Sequence, residues 1–327
     1  MKQTLTHKML WLVLVVVVNA AAAGEVVAQD QAGAPLDDEE VVSVNTRLVR
    51  VNVRASDPKG RPVTLDGSSL KAYADGVPQE TAYFYSQEDP SNVVLLVDVS
   101  DSMGQVKAKR ASTLDLVYAF LKASDPRNRY TLFVFNNRIS KVGEYAGDEA
   151  GREDLYRDLK KQKYGGGTAI YSSARETLRA ALGARRSFKT ALILFTDGIE
   201  EDASPVSKAL AEEFDYFGGY VAAFVIGDST SHDYLAARYL GTPKSELKRR
   251  AAQLVRRLGC EAYVAHGSLR DYEGAAKRVS KEMTYSVELG FYPKDGAAEP
   301  GAHAVRVESR SVEGLSLKTR PGYSIGK

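Results

Sequence analysis

A chain of 327 residues, 44% hydrophobic and 26% charged, has an ordinary globular composition and is long enough to bury a substantial core. Its 44 basic and 42 acidic residues leave a formal charge of +2, which excludes the strongly basic balance of a nucleic-acid binder. The single cysteine, Cys260, excludes an intramolecular disulfide and, lying far from the N-terminus, an acylated lipobox cysteine.

The chain opens with Lys2 and Lys8, an apolar run from Met9 to Val18, and the small residues of NAAAAGEVV. That order is the pattern of a secretory signal peptide over residues 1–23, with cleavage after Ala23 or Ala28. The apolar run is shorter than the roughly 20 residues a membrane span needs, so the mature chain is expected to have none. Removal of 1–23 takes two lysines and no acid, which balances the remaining charges. The expected location is the periplasm or the extracellular space, and stability there must come from the core or from bound metal. A polar linker follows over 24–40.

Residues 41–90 read as a β segment. Val49, Val51 and Val53 alternate with Arg50, Asn52 and Arg54, and LKAYADGVPQETAYFY predicts two short strands around Asp75-Gly76. So short a segment cannot hold a core alone and must lean on something else. From 91 to 285 the character changes. VVLLVD, YTLFVFN, TALILFTD, YVAAFVIG and CEAYVA are apolar runs of strand length, separated by helical spacing at Leu114, Val117, Tyr118 and Leu121 and at Leu155 and Leu159. Leu247, Ala251, Leu254, Val255 and Leu258 mark a further helix, and the last runs from about Asp271 to Met283. Strands apolar throughout and separated by helices predict an α/β fold, a doubly wound and mostly parallel sheet with helices on both faces. Residues 286–327 return to strand patterning and are expected to pair with 41–90 into a small flanking β unit.

Three polar clusters fall at the carboxyl ends of the apolar strands, where ligands bind in such sheets. They are Asp98-x-Ser100-x-Ser102, Thr168 after the glycines of YGGGTA, and Asp197 in FTDG. Two carboxylates and three hydroxyls are hard oxygen ligands suited to Mg²⁺, Mn²⁺ or Ca²⁺.

In this order the set resembles the metal-ion-dependent adhesion site of von Willebrand factor A (vWA) domains, integrin I domains among them. The flanks, RLVRVNVRASDPKGRPV before the site and YSVELGFYPKD near the end, resemble those of bacterial VWFA-related proteins of the Acidobacteria type. The resemblance implies a divalent cation, Mg²⁺ before Mn²⁺ or Ca²⁺. Ser100 and Ser102 would ligate it directly, Thr168 would join in a ligand-engaged state, and Asp98 and Asp197 would hold its waters. The last ligand would be an Asp or Glu carboxylate of a protein partner. Gly165–Gly167 would let the backbone approach and Thr168 move. Asp101 stands where such loops often carry glycine. With Tyr164, Gly167 and Glu200 it is a candidate rim residue, and Glu201 and Asp202 add acid nearby. Like charges about 4 Å apart repel by about 4 kcal/mol at an effective dielectric near 20, so an acidic ligand would be opposed if these groups face it.

The sequence supports enzymatic chemistry poorly. His232, His266 and His303 are not at metal-ligand spacing with one another, and there is no GxSxG elbow. The glycine run lacks the lysine of a phosphate loop. Cys260 reads as a small buried residue, and KSELKRRAAQLVRRLG as a helix with a solvated basic face. The expectation is a secreted, non-enzymatic binding protein. The alternative is a structural or assembly module in which the ion stabilises the fold and partners bind elsewhere.

Overall fold

The computed structural model describes residues 48–105, 107–182, 188–201, 217–227, 242–266, 268–310 and 314–325. The expected signal peptide and linker, residues 41–47, Asp202 and His232 lie outside them. Strand β1 (Val49–Ser56) turns Val49, Val51, Val53 and Ala55 inward, as a period of two requires. β2 (Leu70–Ala74) and β3 (Val77–Gln79) form a hairpin through Asp75 and Gly76, with φ of 49° and 83°. Two successive left-handed residues make a type I′ turn, which Asp-Gly accepts readily. β4 (Thr81–Tyr85) leaves that hairpin for a different sheet.

The central sheet holds β5 (Ser91–Asp98), β6 (Arg129–Phe135), β7 (Ile139–Ala146), β8 (Lys189–Thr196), β9 (Tyr220–Ile226) and β10 (Glu261–Ala265), in the order β10-β9-β8-β5-β6-β7. Every neighbouring pair is parallel except β6 and β7. β8 is buried at every position and β5 at all but one, because their apolar side chains leave both faces of the pleat and need cover on both. The helices supply it. α1 (Asp101–Gly104) is a single turn leading into α2 (Lys107–Ala123), and α3 (Glu149–Lys160) follows β7. α4 (Ile170–Leu182), α5 (Lys244–Leu258) and α6 (Leu269–Tyr285) complete the set among the described residues. Leu116, Phe120, Leu155, Tyr272 and Val279 of α2, α3 and α6 share one core with one face of the sheet. Ile170, Leu178, Leu247 and Leu254 of α4 and α5 share a second core with the other face. Among the described residues no helix is long and apolar enough to cross a membrane.

Local details depart from the expected pattern. β7 was not expected: ISKVGEYA is half exposed, lacks clean alternation, and becomes a strand by pairing antiparallel with β6 at the sheet edge. The buried stripe of α2 runs through Lys109, Thr113, Leu116, Val117 and Phe120, while Leu114 and Tyr118 are only half-buried. Val255, counted with the apolar face of α5, is 42% exposed, and α5 ends where Gly259 turns left-handed at φ 60°. Cys260 is buried, and desolvation pushes its thiol up to about 12.

β11 (Val287–Phe291), β12 (Gly301–Ser309) and β13 (Ser316–Lys318) pair with the N-terminal strands, and β14 (Gly322–Ile325) pairs with β12. The two small sheets have the orders β13-β1-β11-β4 and β14-β12-β2-β3. Val51, Val53, Ala72, Leu289, Phe291 and Val307 belong to their common core, so the two ends of the described chain together form the expected flanking β unit. Glu288 of β11, wholly buried, accepts hydrogen bonds from Tyr83 Oη at 2.8 Å and from the Thr190 N–H and Oγ1 at 3.0 and 3.1 Å, tying that unit to β8.

Beside this tie Lys189, 2% exposed, donates to the carbonyls of Thr284 at 2.9 Å and Ser286 at 3.1 Å. Desolvation lowers its pKa to about 8, against the attraction of Asp89, Glu288 and Asp125. Between that value and the ordinary 10.5 the unfolded chain holds a proton that the folded one has shed, so stability rises with pH across this window. The rise is on the order of 3 kcal/mol. Lys189→Met is expected to flatten it, as read from the melting temperatures of both proteins between neutral and alkaline pH. Parallel curves would count against it.

Candidate functional site

β5 and β8 run in register up to Val97 and Phe195, so Asp98 and Asp197 leave the sheet at the same edge. The chain winds from β5 to β6 on one side and places β8 on the other, which makes this the crevice where the winding reverses. Three loops meet there. In the first, Asp98 and Ser100 are fully buried. Asp98 Oδ1 accepts the Ser100 N–H at 2.9 Å and Oδ2 accepts the Thr196 hydroxyl at 2.7 Å. Burial pushes the Asp98 carboxyl up to about 7; the Ser100 and Thr196 donors pull it back and the Asp197 charge adds to the rise. Ser100 stands at the N-cap position of α1 without a side-chain capping bond, and its Oγ lies 3.2 Å from Ser102 Oγ.

The glycine loop is zipped to the first by two backbone bonds, Asp101 N–H to Gly166 O at 2.9 Å and Gly165 N–H to Val99 O at 2.8 Å. Gly166 adopts φ 84°, a left-handed backbone that disfavours any side chain. The loop delivers Thr168, 2% exposed, whose Oγ1 is buried and meets no hydrogen-bond partner among the described residues. In the third loop Asp197 is fully buried and Oδ1 accepts the Ile199 N–H at 3.1 Å. The turn passes through Gly198 at φ 75°, and Arg250 of α5 donates to the Asp197 carbonyl at 3.0 Å.

The four candidate rim residues take different places. Asp101 is exposed. Tyr164 is a packing residue: a Cβ at Gly104 would stand 2.4 Å from its own Cβ, and the Arg110 guanidinium lies 4.8 Å from its ring centre. Desolvation raises its hydroxyl to about 12. Gly167 leaves room for the Glu201 carboxylate, which accepts the Thr168 N–H at 3.3 Å. Glu200 Oε2 accepts the Tyr171 N–H at 3.1 Å. Both glutamates therefore satisfy open N–H groups around the start of α4, a favourable place for negative charge.

Sequence reasoning missed Lys109. It is 5% exposed, and its ammonium donates to Asp197 Oδ2 at 2.7 Å and to the Ser102 carbonyl at 3.2 Å. The signal was available: Lys109, Thr113, Leu116 and Phe120 have the spacing of one helix face.

The donor set suits a hard divalent cation. It consists of two carboxylates and three hydroxyls, one of the hydroxyls buried with no partner among the described residues. Among the described residues no group of three or more His, Cys, Asp or Glu side chains could hold a metal ion, so any cation here would depend on the hydroxyls as well as the two carboxylates.

The family described as VWA domain containing CoxE-like protein matches residues 39–216. Among solved structures, the conserved hypothetical protein BatB from Bacteroides thetaiotaomicron is 17% identical, with 59% of this chain and 98% of that one covered and a TM-score of 0.41. The von Willebrand factor type A structure from Catenulispora acidiphila is 13% identical over 85% of this chain and 74% of its own, with a TM-score of 0.41. Manganese-loaded TRAP protein from Plasmodium vivax is 14% identical over 78% and 98%, with a TM-score of 0.44. These likenesses are too distant to carry an argument about ligands. No curated protein matches the chain. The family match spans more than half of the sequence and includes Asp98, Ser100, Ser102, Thr168 and Asp197, and the chain belongs to the VWA domain containing CoxE-like family.

Proposed function

We propose that this vWA-domain chain is an exported, non-enzymatic binding protein. Ser100, Ser102 and Thr168, with Asp98 and Asp197, would hold a divalent cation, Mg²⁺ before Mn²⁺ or Ca²⁺. The ion would take an Asp or Glu carboxylate of a protein partner as its last ligand. The observation that carries the reading is the Thr168 hydroxyl: buried, without a partner among the described residues, and on a loop bonded to the one that presents Ser100 and Ser102. A buried hydroxyl without a partner costs about 1–3 kcal/mol, and a cation is the ligand that the neighbouring oxygens suit. Export is supported by the N-terminal pattern of residues 1–23.

Hydroxyl ligands leave most of the ion's charge uncompensated, so it stays attractive to a carboxylate. The engagement of Glu200 and Glu201 at the start of α4 favours binding over a purely structural ion, because their charge is already drawn to backbone N–H groups. Calorimetric titration of Mg²⁺, Mn²⁺ and Ca²⁺ into metal-stripped protein tests the reading. One-to-one binding reversed by a chelator is expected, and the absence of binding by all three ions would sink it.

A further inference from the structure

The first turn of α2 aims a cation of the chain's own at this site. Thr113, Leu116 and Phe120 bury their side of the helix, and Lys109 continues that face one turn toward the strand ends. A buried ammonium is costly unless its charge is met. Here it is met by Asp197 Oδ2 at 2.7 Å, an ion pair whose side chains are 6% and 0% exposed, and by the Ser102 carbonyl at 3.2 Å. Lys109 therefore touches two of the residues proposed to hold the ion. It neutralises a carboxylate that a divalent ion would use, and its single charge repels an incoming double one at short range. Its four-carbon stem is flexible and its ammonium is a compact point charge, so it can turn away without unfolding the helix.

We infer that the Lys109 ammonium is a built-in competitor of the divalent ion: the ion enters by displacing Lys109 from Asp197, and this exchange sets the affinity of the site. The inference rests on the cation reading above. Asp197 then keeps a charge partner whether or not the ion is bound, and occupancy follows the ambient concentration of the ion.

The test titrates Mn²⁺ into full-length, metal-stripped wild type, Lys109→Gln and Lys109→Arg, with melting followed in parallel. Lys109→Gln is expected to bind Mn²⁺ about tenfold tighter or more, while Lys109→Arg, which keeps the charge, stays within about threefold of wild type. The melting temperature of metal-free Lys109→Gln falls, because Asp197 loses its partner, and saturating Mn²⁺ restores it. Lys109→Met repeats the measurement if the glutamine variant does not fold. Equal or weaker binding by the folded neutral variant overturns the exchange and makes Lys109 an organiser of Asp197. Absence of saturable binding by wild type and neutral variants alike overturns the cation reading, and the exchange with it. Binding by the neutral variant alone supports the exchange in its strongest form.

Discussion

Asp98→Asn leaves the metal-free protein folded and abolishes its response to divalent cations. The substitution keeps the shape of the side chain and one acceptor for either the Ser100 N–H or the Thr196 hydroxyl, the two groups that Asp98 now satisfies. It also removes a fully buried carboxyl that desolvation pushes up to about 7, so the loss of charge relieves as much as it costs. One of the two donors then meets the amide NH2, which costs about 1–3 kcal/mol, so the metal-free melting temperature is expected to fall by a few degrees while the fold survives. The contrast appears when ion is added. At a hundred times the dissociation constant, wild type gains about 2.7 kcal/mol if only the folded state binds, and Asp98→Asn gains none. Paired thermal scans with and without Mn²⁺ check this. A variant that keeps the full ion-dependent gain would move the ion to another part of the chain.

The largest loss of stability is expected from Phe120→Ala. Phe120 is fully buried on α2, edge-on to Phe195 at 6.3 Å and to Phe224 at 6.4 Å, and those two rings stack at 5.1 Å. Truncation leaves a cavity against two rings on β8 and β9 that are held by the sheet and cannot collapse into it. The cost is about 3–5 kcal/mol, which lowers the melting temperature by roughly 10 °C. Phe120→Leu, which refills most of the space, is expected to lose much less. Melting followed by circular dichroism separates the two, and an unchanged alanine variant would mean the ring cluster contributes little. Since Phe120 and Lys109 lie on one face of α2, metal-free Phe120→Ala should also hold the Lys109–Asp197 pair less firmly.

The central strands were legible because a strand covered on both faces has to be apolar throughout, and VVLLV and ALILF are. The Asp75-Gly76 hairpin was legible because few residue pairs accept two left-handed positions in a row. β7 was not, since ISKVGEYA carries no period of its own and is made a strand by β6. The phase of α2 was read slightly off, from Leu114 and Tyr118, and that error concealed Lys109. A lysine on an apolar stripe looks like noise until the carboxylate it meets, 88 positions later in the chain, is known. The polar residues at the strand ends could be named from their order alone. The direction of Glu200 and Glu201 could not, because it depends on where α4 begins relative to the loop after β8.

The pairing of the two small sheets has a consequence for the order of events during folding. Their contacts join residues far apart in the chain, such as Tyr83 with Glu288, 205 positions on. When β1 to β4 have been synthesised, only the β2–β3 hairpin can form, because β11, β12 and β13, the other partners of β1, β2 and β4, do not yet exist. Closing a loop of that length in a disordered chain costs about 5 kcal/mol of entropy. The layer between them offers a cheaper route, since it starts at Ser91, just after β4, and ends at Tyr285, just before β11. Once its sheet and helices have formed, the ends of the small sheets are delivered close together and register can be set locally. Until then the valine face of β1 stays open, a strand edge that invites pairing with another copy. The slow, aggregation-exposed stage of this molecule is therefore expected at its first strands, which wait for the last ones.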